Sequence, residues 1–270
     1  MLCFPNAKIN LGLFVTEKRS DGFHNIESIF LPTPFCDVLE IIPRDQSGID
    51  LQLLGKNIPG PSADNLIVRA YQLFHQRTAC GGVHATLLKH IPTGAGLGGG
   101  SANAAFMLSA LNDLFETNID IQTLEQWAAE LGSDCPFFIQ NKPAFVTGRG
   151  EHLQPLDWRP SASHIALIHP GIHISTPWAF QQITPRPAPI DLREAIQSPM
   201  SSWQRSIAND FEPAAIRAHP EIGEIKNMLM DAGATFAAMS GSGSTVFGLF
   251  DSTPVLPQAK PHWTVFTDAL

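Results

Sequence analysis

The sequence predicts a mixed protein of strands and helices, α+β or α/β, arranged in two lobes. The chain has 270 residues, which is long for one domain and sufficient for two of about 130 residues each. Strand-like and helix-like segments alternate in both halves. Hydrophobic residues make up 44% of the chain and charged residues 16%, which provides for a substantial core. We place the boundary near residue 150, between domains at 1–150 and 151–270.

The first part of the chain is rich in predicted strands. Residues 8–15 (KINLGLFV) place apolar side chains at alternate positions, and residues 23–30 (FHNIESIF) resume the strand pattern after a polar turn, which indicates a hairpin. Further strands are predicted in DVLEIIP, IDLQLLG and VHATLLKHIP. A helix is predicted in NLIVRAYQLFHQ, with Asp64 as its N-cap.

Two more helices are predicted in the middle of the chain. One begins at Ser101 and has an apolar stripe at Ala104, Met107, Leu108, Leu111 and Phe115. The next begins with Thr123 and Gln126 as a capping box and ends at Gly132. The segments SDCPFFIQ and PAFVTGRG that follow predict a loop and two short strands.

The second half differs in composition, since the segment from Ser175 to Pro199 is rich in proline. Helices are predicted from about Pro213 and in EIGEIKNMLMDAGA. Strands are predicted in HIALIHPG, TVFGLF and WTVFTD.

The overall charge restricts the partners of the protein. The chain has 17 basic and 25 acidic residues, so its net charge is −8 at pH 7. This balance disfavours broad binding to nucleic acid or to an anionic membrane. No apolar stretch approaches the roughly 20 residues of a membrane span. We therefore expect neither nucleic-acid nor membrane partners, and any phosphate site must depend on backbone amides, helix dipoles, a metal ion and a few cations.

The cysteines show no spacing typical of a metal site or of a disulfide framework, and they are Cys3, Cys36, Cys80 and Cys135. We interpret them as scattered buried thiols in a reducing compartment. The first predicted strand begins a few residues after Met1, which leaves no room for a signal peptide. The expected location is cytoplasmic.

Residues 91–105 (IPTGAGLGGGSANAA) contain five glycines directly before a predicted helix. They allow three interpretations: a flexible turn, a dinucleotide fingerprint, because Gly94, Gly96 and Gly99 satisfy GxGxxG, or a phosphate cradle. A flexible turn does not require so many glycines, each of which costs backbone entropy. A dinucleotide site requires an acidic residue after the next strand, whereas Asp120 lies between two predicted helices. The pattern therefore favours a cradle of backbone amides at a helix N-terminus.

The cradle has no lysine of its own. A P-loop, GxxxxGK[ST], requires lysine where Gly100 stands. Any cation must therefore come from elsewhere in the chain, while the Ser101 hydroxyl is available to ligate Mg²⁺ or a phosphate oxygen.

Three motifs in order along the chain resemble those of the GHMP small-molecule kinases. PTGAGLGGGSANAA is similar to the phosphate loop of that family, PNAKINL to its first motif, and SGSGST at 240–245 to its glycine-rich third motif. Within the family, RSDGFHNIES, DNLIVRA, LGSDCPFF and HPGIHISTP resemble segments of the 4-diphosphocytidyl-2-C-methyl-D-erythritol kinases. The resemblance implies an α+β fold of two lobes. One is an ATP-binding lobe like the second domain of ribosomal protein S5, at 1–150, and the other is a ferredoxin-like substrate lobe, at 151–270.

The resemblance also implies ATP and Mg²⁺ as cofactors and assigns residues to the nucleotide. The expected ATP-binding residues are Asn65, near adenine, and Pro92, Thr93, Gly94, Ala95, Gly96, Leu97, Gly98, Gly99, Gly100, Ser101, Ala102 and Asn103. Ser101 is in addition the candidate metal ligand.

Asp134 and Lys8 are the expected catalytic residues. By position alone, Asp134 follows a helix stop and is more typical of an aspartate that caps a turn. The family match instead places Asp134 on the catalytic aspartate and Lys8 on the catalytic lysine, whose charge would keep the carboxylate ionised. Asn10, on the same strand face as Lys8, would orient the substrate hydroxyl.

Two segments are expected to bind the cytidine end of an extended substrate. By resemblance, Phe23 stacks on cytosine and His24 pairs with its edge, while Thr176, Pro177 and Phe180 form the opposite face of the pocket. The implied reaction is ATP-dependent phosphorylation of the 2-hydroxyl of a cytidine diphosphate derivative of a methyl-branched polyol, in the non-mevalonate isoprenoid pathway. The alternatives are another GHMP kinase, acting on homoserine, mevalonate or a sugar, and an S5-like RNA-binding protein, which the net charge disfavours.

Overall fold

The computed structural model describes residues 1–270. Its strands are β1 Leu2–Cys3, β2 Asn6–Lys18, β3 His24–Cys36, β4 Val38–Arg44, β5 Ile49–Gly55, β6 Gly82–Lys89, β7 Ala144–Thr147, β8 His152–Pro155, β9 His164–His169, β10 Phe236–Met239, β11 Val246–Phe250 and β12 Thr264–Ala269. Its α-helices are α1 Leu66–Thr78, α2 Gly99–Leu114, α3 Ile121–Leu131, α4 Phe137–Gln140, α5 Thr176–Gln181, α6 Leu192–Ala195, α7 Trp203–Ser206, α8 Glu212–Ala218 and α9 Pro220–Asp231.

The chain forms two compact units, each discontinuous in sequence. Unit 1 consists of Met1–Ala7, Phe35–Thr93 and Gly98–Lys142, and unit 2 of Lys8–Pro34, Gly94–Leu97 and Pro143–Leu270. These units are defined by contacts in space, so they divide the chain differently from a boundary in sequence near residue 150, which stays a prediction. The glycine loop contributes residues to both units.

Unit 1 contains a four-stranded sheet and four α-helices. The sheet has the order β1-β4-β6-β5, antiparallel except for the parallel pair of β5 and β6, which α1 connects. The inward side chains of β4 and β6 pack against apolar residues of α1 and α2, with Phe74 and Leu108 fully buried among them. Strand β6 runs directly into the glycine loop, so this packing fixes the start of the loop.

Unit 2 contains two four-stranded sheets, with the orders β2-β3-β7-β8 and β10-β11-β9-β12. All pairs in the second sheet are antiparallel. Its order is the one expected of a ferredoxin-like β-α-β-β-α-β sheet, although the connection from β11 to β12 contains no helix. Its inner face packs on α8 and α9 through residues such as Ile225 and Leu229.

Most of the predicted strands and helices are present, but the N-caps predicted for α1 and α3 are wrong. The N-cap of α1 is Asn65, whose side chain accepts a hydrogen bond from the Ile67 amide, and not Asp64. The N-cap of α3 is Asp120, which binds the Thr123 amide, so Thr123 lies inside the helix and forms no capping box. In both helices the N-cap is the residue whose side chain accepts a hydrogen bond from an amide of the first turn. Other polar residues lie close to each N-cap, so the sequence alone did not show which of them begins the helix.

Three other segments differ from the sequence prediction. Helix α2 begins at Gly99 instead of Ser101. Residues 137–140, expected in a loop or strand, form the short helix α4. The proline-rich segment after Ser175 contains two short helices, α5 and α6, because Ser175 and Asp191 cap them with side-chain hydrogen bonds.

Strand β2 is buried on both faces, beyond what its alternating pattern predicts. Lys8, Asn10 and Phe14 are 3%, 1% and 1% exposed. A polar side chain buried to this extent requires hydrogen-bond partners. None of the helices is long and apolar enough to span a lipid bilayer.

Candidate active site

The glycine loop adopts a conformation that only glycine adopts readily. Gly94, Gly96 and Gly98 have φ angles of 68°, 79° and 68°, in the left-handed region. Gly98 is the N-cap of α2, and no side chain caps this helix. The first amides of α2 have no partners within the helix itself. An anion at this position would therefore meet backbone N–H groups and the positive end of the helix dipole.

The turn between β10 and β11 packs against this loop within unit 2. The Ser240 hydroxyl donates to the carbonyl of Gly96 at 2.8 Å, and the Thr245 amide donates to the carbonyl of Ala95 at 3.2 Å. The contact is so close that a Cβ atom on Gly96 would overlap the Ser240 carbonyl oxygen. The SGSGST turn thus shapes the loop through hydrogen bonds to the carbonyl groups of the loop backbone.

A pocket of about 310 Å³ lies in unit 1 beside the start of α2. Its lining includes Asn65, Thr93, Gly100 and Asn103, all predicted to bind ATP, and also Lys89. Apolar and proline residues at 58–61 form another wall. A small, mostly apolar pocket with a few polar groups is typical of a site for a small organic ligand.

The side chains of two predicted ATP-binding asparagines make structural hydrogen bonds. The Asn65 Oδ1 atom caps α1 at 2.9 Å from the Ile67 amide, which leaves its amide NH₂ group for another partner. Asn103 is 3% exposed and bonds through both ends of its amide, to Lys89 and to Asp37.

Asp37 and Lys89 form a buried ion pair that none of the sequence motifs includes. Asp37 also accepts hydrogen bonds from the amides of His90 and Ile91, both at 2.8 Å. Burial lowers the pKa of the Lys89 ammonium, and the charge and hydrogen bond of Asp37 oppose that shift. Lys89 is the last residue of β6 and lies on the buried face of its alternation, after Leu87, which is the signal from which this pair could have been suspected.

Lys8 and Asn10 lie together in unit 2, as predicted from their shared strand face. The Lys8 ammonium donates to Asn10 Oδ1 at 2.6 Å and lies 4.2 Å from the centre of the Phe30 ring. The Asn10 amide NH₂ donates to Ser28 at 2.9 Å, and the Ser28 hydroxyl donates to the carbonyl of Gly12. This chain of hydrogen bonds fixes the Lys8 and Asn10 side chains, and Ser28 is a contributor that the motifs did not reveal.

Asp134 lies in unit 1, in the tight turn between α3 and α4. The Cys135 amide closes this turn on the Gly132 carbonyl at 3.1 Å, and Asp134 is half-buried. The next residue, Cys135, is fully buried, and burial raises the pKa of its thiol to about 12, although a hydrogen bond with Ser101 opposes the shift. Asp134 is thus adjacent in sequence to a thiol that contacts the start of α2.

The predicted cytidine-binding residues lie in unit 2, where His24 and Phe180 are already stacked. Their ring centres are 4.7 Å apart at an angle of 15°, and Phe180 also forms a T-shaped pair with Phe211. Burial and the charge of Lys18 lower the pKa of His24, which favours the neutral form of its ring.

Phe23 is 52% exposed, and the Arg149 guanidinium lies 4.8 Å from the centre of its ring. Thr176 begins α5, and its hydroxyl is 3.2 Å from that of Ser242 in the β10–β11 turn; Pro177 follows it and is exposed. The structure therefore brings His24 together with Phe180. The pairing of Lys8 with Asp134, which belong to different units, stays a prediction, as does the sandwich of Phe23 and Phe180.

The cysteines are free thiols, and the prediction that they are buried is wrong for two of them. Cys80 and Cys135 are buried, whereas Cys3 and Cys36 are partly exposed. No group of three or more histidine, cysteine, aspartate or glutamate side chains is placed to hold a metal ion.

Comparison with known proteins defines the class of this chain. The family description "GHMP kinases N terminal domain" matches residues 65–148, and "GHMP kinases C terminal" matches residues 191–262. The solved structure of a homoserine kinase from Cytophaga hutchinsonii has the same fold, with a TM-score of 0.67 at 17% identity over 97% of this chain and 93% of that chain. The fold is that of the GHMP kinases, and the predicted fold class is confirmed.

More similar proteins identify the branch. A 4-diphosphocytidyl-2-C-methyl-D-erythritol kinase from Bacteroides thetaiotaomicron is 45% identical over 268 residues, which are 98% of each chain. The crystal structure of a 4-(cytidine 5'-diphospho)-2C-methyl-D-erythritol kinase has a TM-score of 0.78 at 34% identity, over 92% of this chain and 90% of that chain. This chain belongs to the family of 4-diphosphocytidyl-2-C-methyl-D-erythritol kinases.

The close approach at Gly96 leads to a prediction about stability. Replacement of Gly96 by alanine should lower the free energy of unfolding by about 1–3 kcal/mol or more, because it adds a strained φ angle and an overlap with Ser240. Gly100→Ala is the matched control, since a Cβ there meets only Leu66 at 3.7 Å and alanine favours the helix. Chemical denaturation of the two variants tests this, and equal stabilities would contradict it.

Proposed function

We propose that this chain transfers the γ-phosphoryl group of ATP to the 2-hydroxyl of 4-diphosphocytidyl-2-C-methyl-D-erythritol, in the non-mevalonate route to isoprenoid precursors. The observation that carries the proposal is the 45% identity over 98% of both chains to a relative of that name. We place the reaction in the cytoplasm, with a small-molecule substrate and with neither nucleic acid nor membrane as partner.

The glycine loop and the pocket of unit 1 fit ATP. The cradle at Gly98–Ser101 presents a helix N-terminus without a side-chain cap, which suits the β- and γ-phosphates. The adjacent pocket, lined by Asn65 and Thr93, has the size and the apolar walls that suit a nucleoside. We therefore assign residues 92–103 to the phosphates and Asn65 to the neighbourhood of adenine.

Mg²⁺ fits this site as an ion held mainly by phosphate. The Ser101 hydroxyl, near the start of α2, is a hard oxygen donor of the type that Mg²⁺ prefers, and Mg²⁺ usually keeps several waters and binds few protein groups. When bound, the ion would reduce the negative charge on the β- and γ-phosphates.

In the proposed reaction, Asp134 accepts the proton of the substrate hydroxyl. The hydroxyl oxygen forms a bond to the γ-phosphorus while the bond from that phosphorus to the β,γ-bridging oxygen breaks and ADP leaves. Lys8, fixed by Asn10 and the Phe30 ring, stabilises the negative charge on the transferred group. Asn10 is held by Ser28 and orients the hydroxyl.

The cytidine end of the substrate is assigned to the aromatic residues of unit 2. Phe23 is exposed on a loop, and Arg149 covers one face of its ring, so a base stacks on the other face. The neutral His24 ring can both donate and accept a hydrogen bond, as the edge of cytosine requires. Thr176, Pro177 and Phe180 form the facing wall.

The substrate assignment is tested by an assay of ADP release with different alcohols. The cytidylyl substrate should be phosphorylated with a kcat/KM at least about a hundredfold above those for homoserine, mevalonate and sugars, because the alternatives lack the stacked base. Turnover of mevalonate, with none of the cytidylyl substrate, would overturn the proposed function.

Asp134→Asn should reduce kcat by about 10²- to 10⁴-fold, since the amide cannot accept the proton. Binding of ADP, followed by calorimetry, should be nearly unchanged. Asp113→Asn, an exposed aspartate of the same unit, is the control and should keep kcat within about twofold of the wild type. Near-normal turnover of the Asp134 variant would remove that residue from the role of base.

Phe23→Ala should raise the KM for the cytidylyl substrate by about 5- to 150-fold, which corresponds to the loss of one base stack. The KM for ATP should remain the same. Phe4→Ala removes a ring of similar exposure, 54%, in unit 1 and should change neither value. Phe180→Ala should act in the same direction as Phe23→Ala. An unchanged KM in both variants would show that the aromatic site is misassigned.

A further inference from the structure

Asp37 is a fully buried carboxylate outside the residues assigned to ATP or substrate. It lies between β3 and β4, and its own amide is fixed by the carbonyl of Pro5 at 2.9 Å. Each of its carboxylate oxygens accepts two hydrogen bonds. A carboxylate offers about four such sites, so this one is saturated.

The donors come from both sides of the glycine loop. On the entry side, the amides of His90 and Ile91 bond to Oδ1, each at 2.8 Å, and the Lys89 ammonium bonds to Oδ2. On the exit side, the Asn103 NH₂ group bonds to Oδ2 at 2.8 Å. Lys89 also donates to Asn103 Oδ1 at 3.1 Å, so both sides are linked to each other as well as to Asp37.

Two of these donors are also part of the pocket wall. Lys89 and Asn103 line the pocket together with Thr93 and Gly100. A Cβ atom on Gly99 would lie 3.0 Å from the Lys89 ammonium, so the first turn of α2 is packed directly on this network. A displacement of the network would therefore move the loop that forms the phosphate cradle.

We propose that Asp37 is a positioning residue for nucleotide binding, which holds the entry and the exit of the glycine loop in register. This inference rests on the proposed function, because it assumes that the pocket of unit 1 binds ATP. Asp37 acts through Lys89, Asn103 and the amides at 90–91, and it does not contact the nucleotide.

The network specifically requires a carboxylate at position 37 while Lys89 is present. Asparagine has one acceptor oxygen, which can hold the two amides, but its NH₂ group would face the donors of Lys89 and Asn103. It would also leave the Lys89 ammonium buried without a counter-charge. If Lys89 is replaced by methionine at the same time, the buried charge is removed. Rotation of the Asn103 amide by about 180° then lets Asn103 Oδ1 accept from the NH₂ group of the asparagine introduced at position 37, while the Asn103 NH₂ group turns to the side of the pocket that Lys89 occupied.

Calorimetry of ADP binding to full-length variants tests the role of Asp37. Asp37→Asn should raise the Kd for ADP at least tenfold, and Asp37→Asn with Lys89→Met should return it to within about threefold of the wild type. Asp37→Ala with Lys89→Met, which cannot hold the amides, should again be at least tenfold weaker than that rescued variant. The KM for the cytidylyl substrate should change less than twofold in all three.

The control is Tyr71→Phe, which removes a hydroxyl that binds two backbone groups elsewhere in unit 1. It should lower stability without changing the Kd. If Asp37→Asn does not fold, the Kd for ADP is compared between the two double variants, Asp37→Asn with Lys89→Met and Asp37→Ala with Lys89→Met. A Kd at least tenfold higher in the second supports the role of Asp37, and equal values contradict it.

Three results would overturn the inference. They are an unchanged Kd for ADP in Asp37→Asn, a Kd that Lys89→Met does not restore in that variant, or an increase in the Kd in Tyr71→Phe equal to that in Asp37→Asn. A wild-type protein that binds neither ADP nor an ATP analogue would instead contradict the proposed function.

Discussion

The contact between the glycine loop and the turn that follows β10 limits what the rest of the site can be. At Gly96 the two backbones approach so closely that no side chain fits between them. The loop is therefore formed by backbone and presents amides, which suit an anion but cannot supply a positive charge or accept a proton. Those functions must come from distant parts of the chain, and the candidates, Lys8 and Asp134, precede and follow the loop in sequence.

Buried polar networks support the glycine loop and the candidate catalytic lysine in the same way. Lys8 and Asn10 are held through Ser28, and Lys89 and Asn103 through Asp37, with the side chains almost completely removed from solvent. A buried charge is costly unless it is paired and its hydrogen bonds are satisfied. Such networks add little net stability but define one arrangement of the groups, as a reaction that depends on positioning requires.

Much of the site was predictable from local patterns, whereas the networks were not. The glycine spacing, the helix after it and the pairing of Lys8 with Asn10 on one strand face follow from short-range periodicity. The N-caps were misassigned at Asp64 and Thr123 because several polar residues near each start are suitable, and only the backbone geometry selects Asn65 and Asp120.

By itself, the sequence determined the class of fold, the family and the residue types available for the reaction, and it predicted the phosphate cradle, because these depend on composition and on motifs of contiguous residues. The tertiary structure decided which side chains are held in place and which contacts hold them. It buried Lys8, stacked His24 on Phe180 and placed Asp37 between the two sides of the glycine loop. These contacts join residues far apart in sequence, and their existence depends on how sheets and helices pack, which no local pattern encodes.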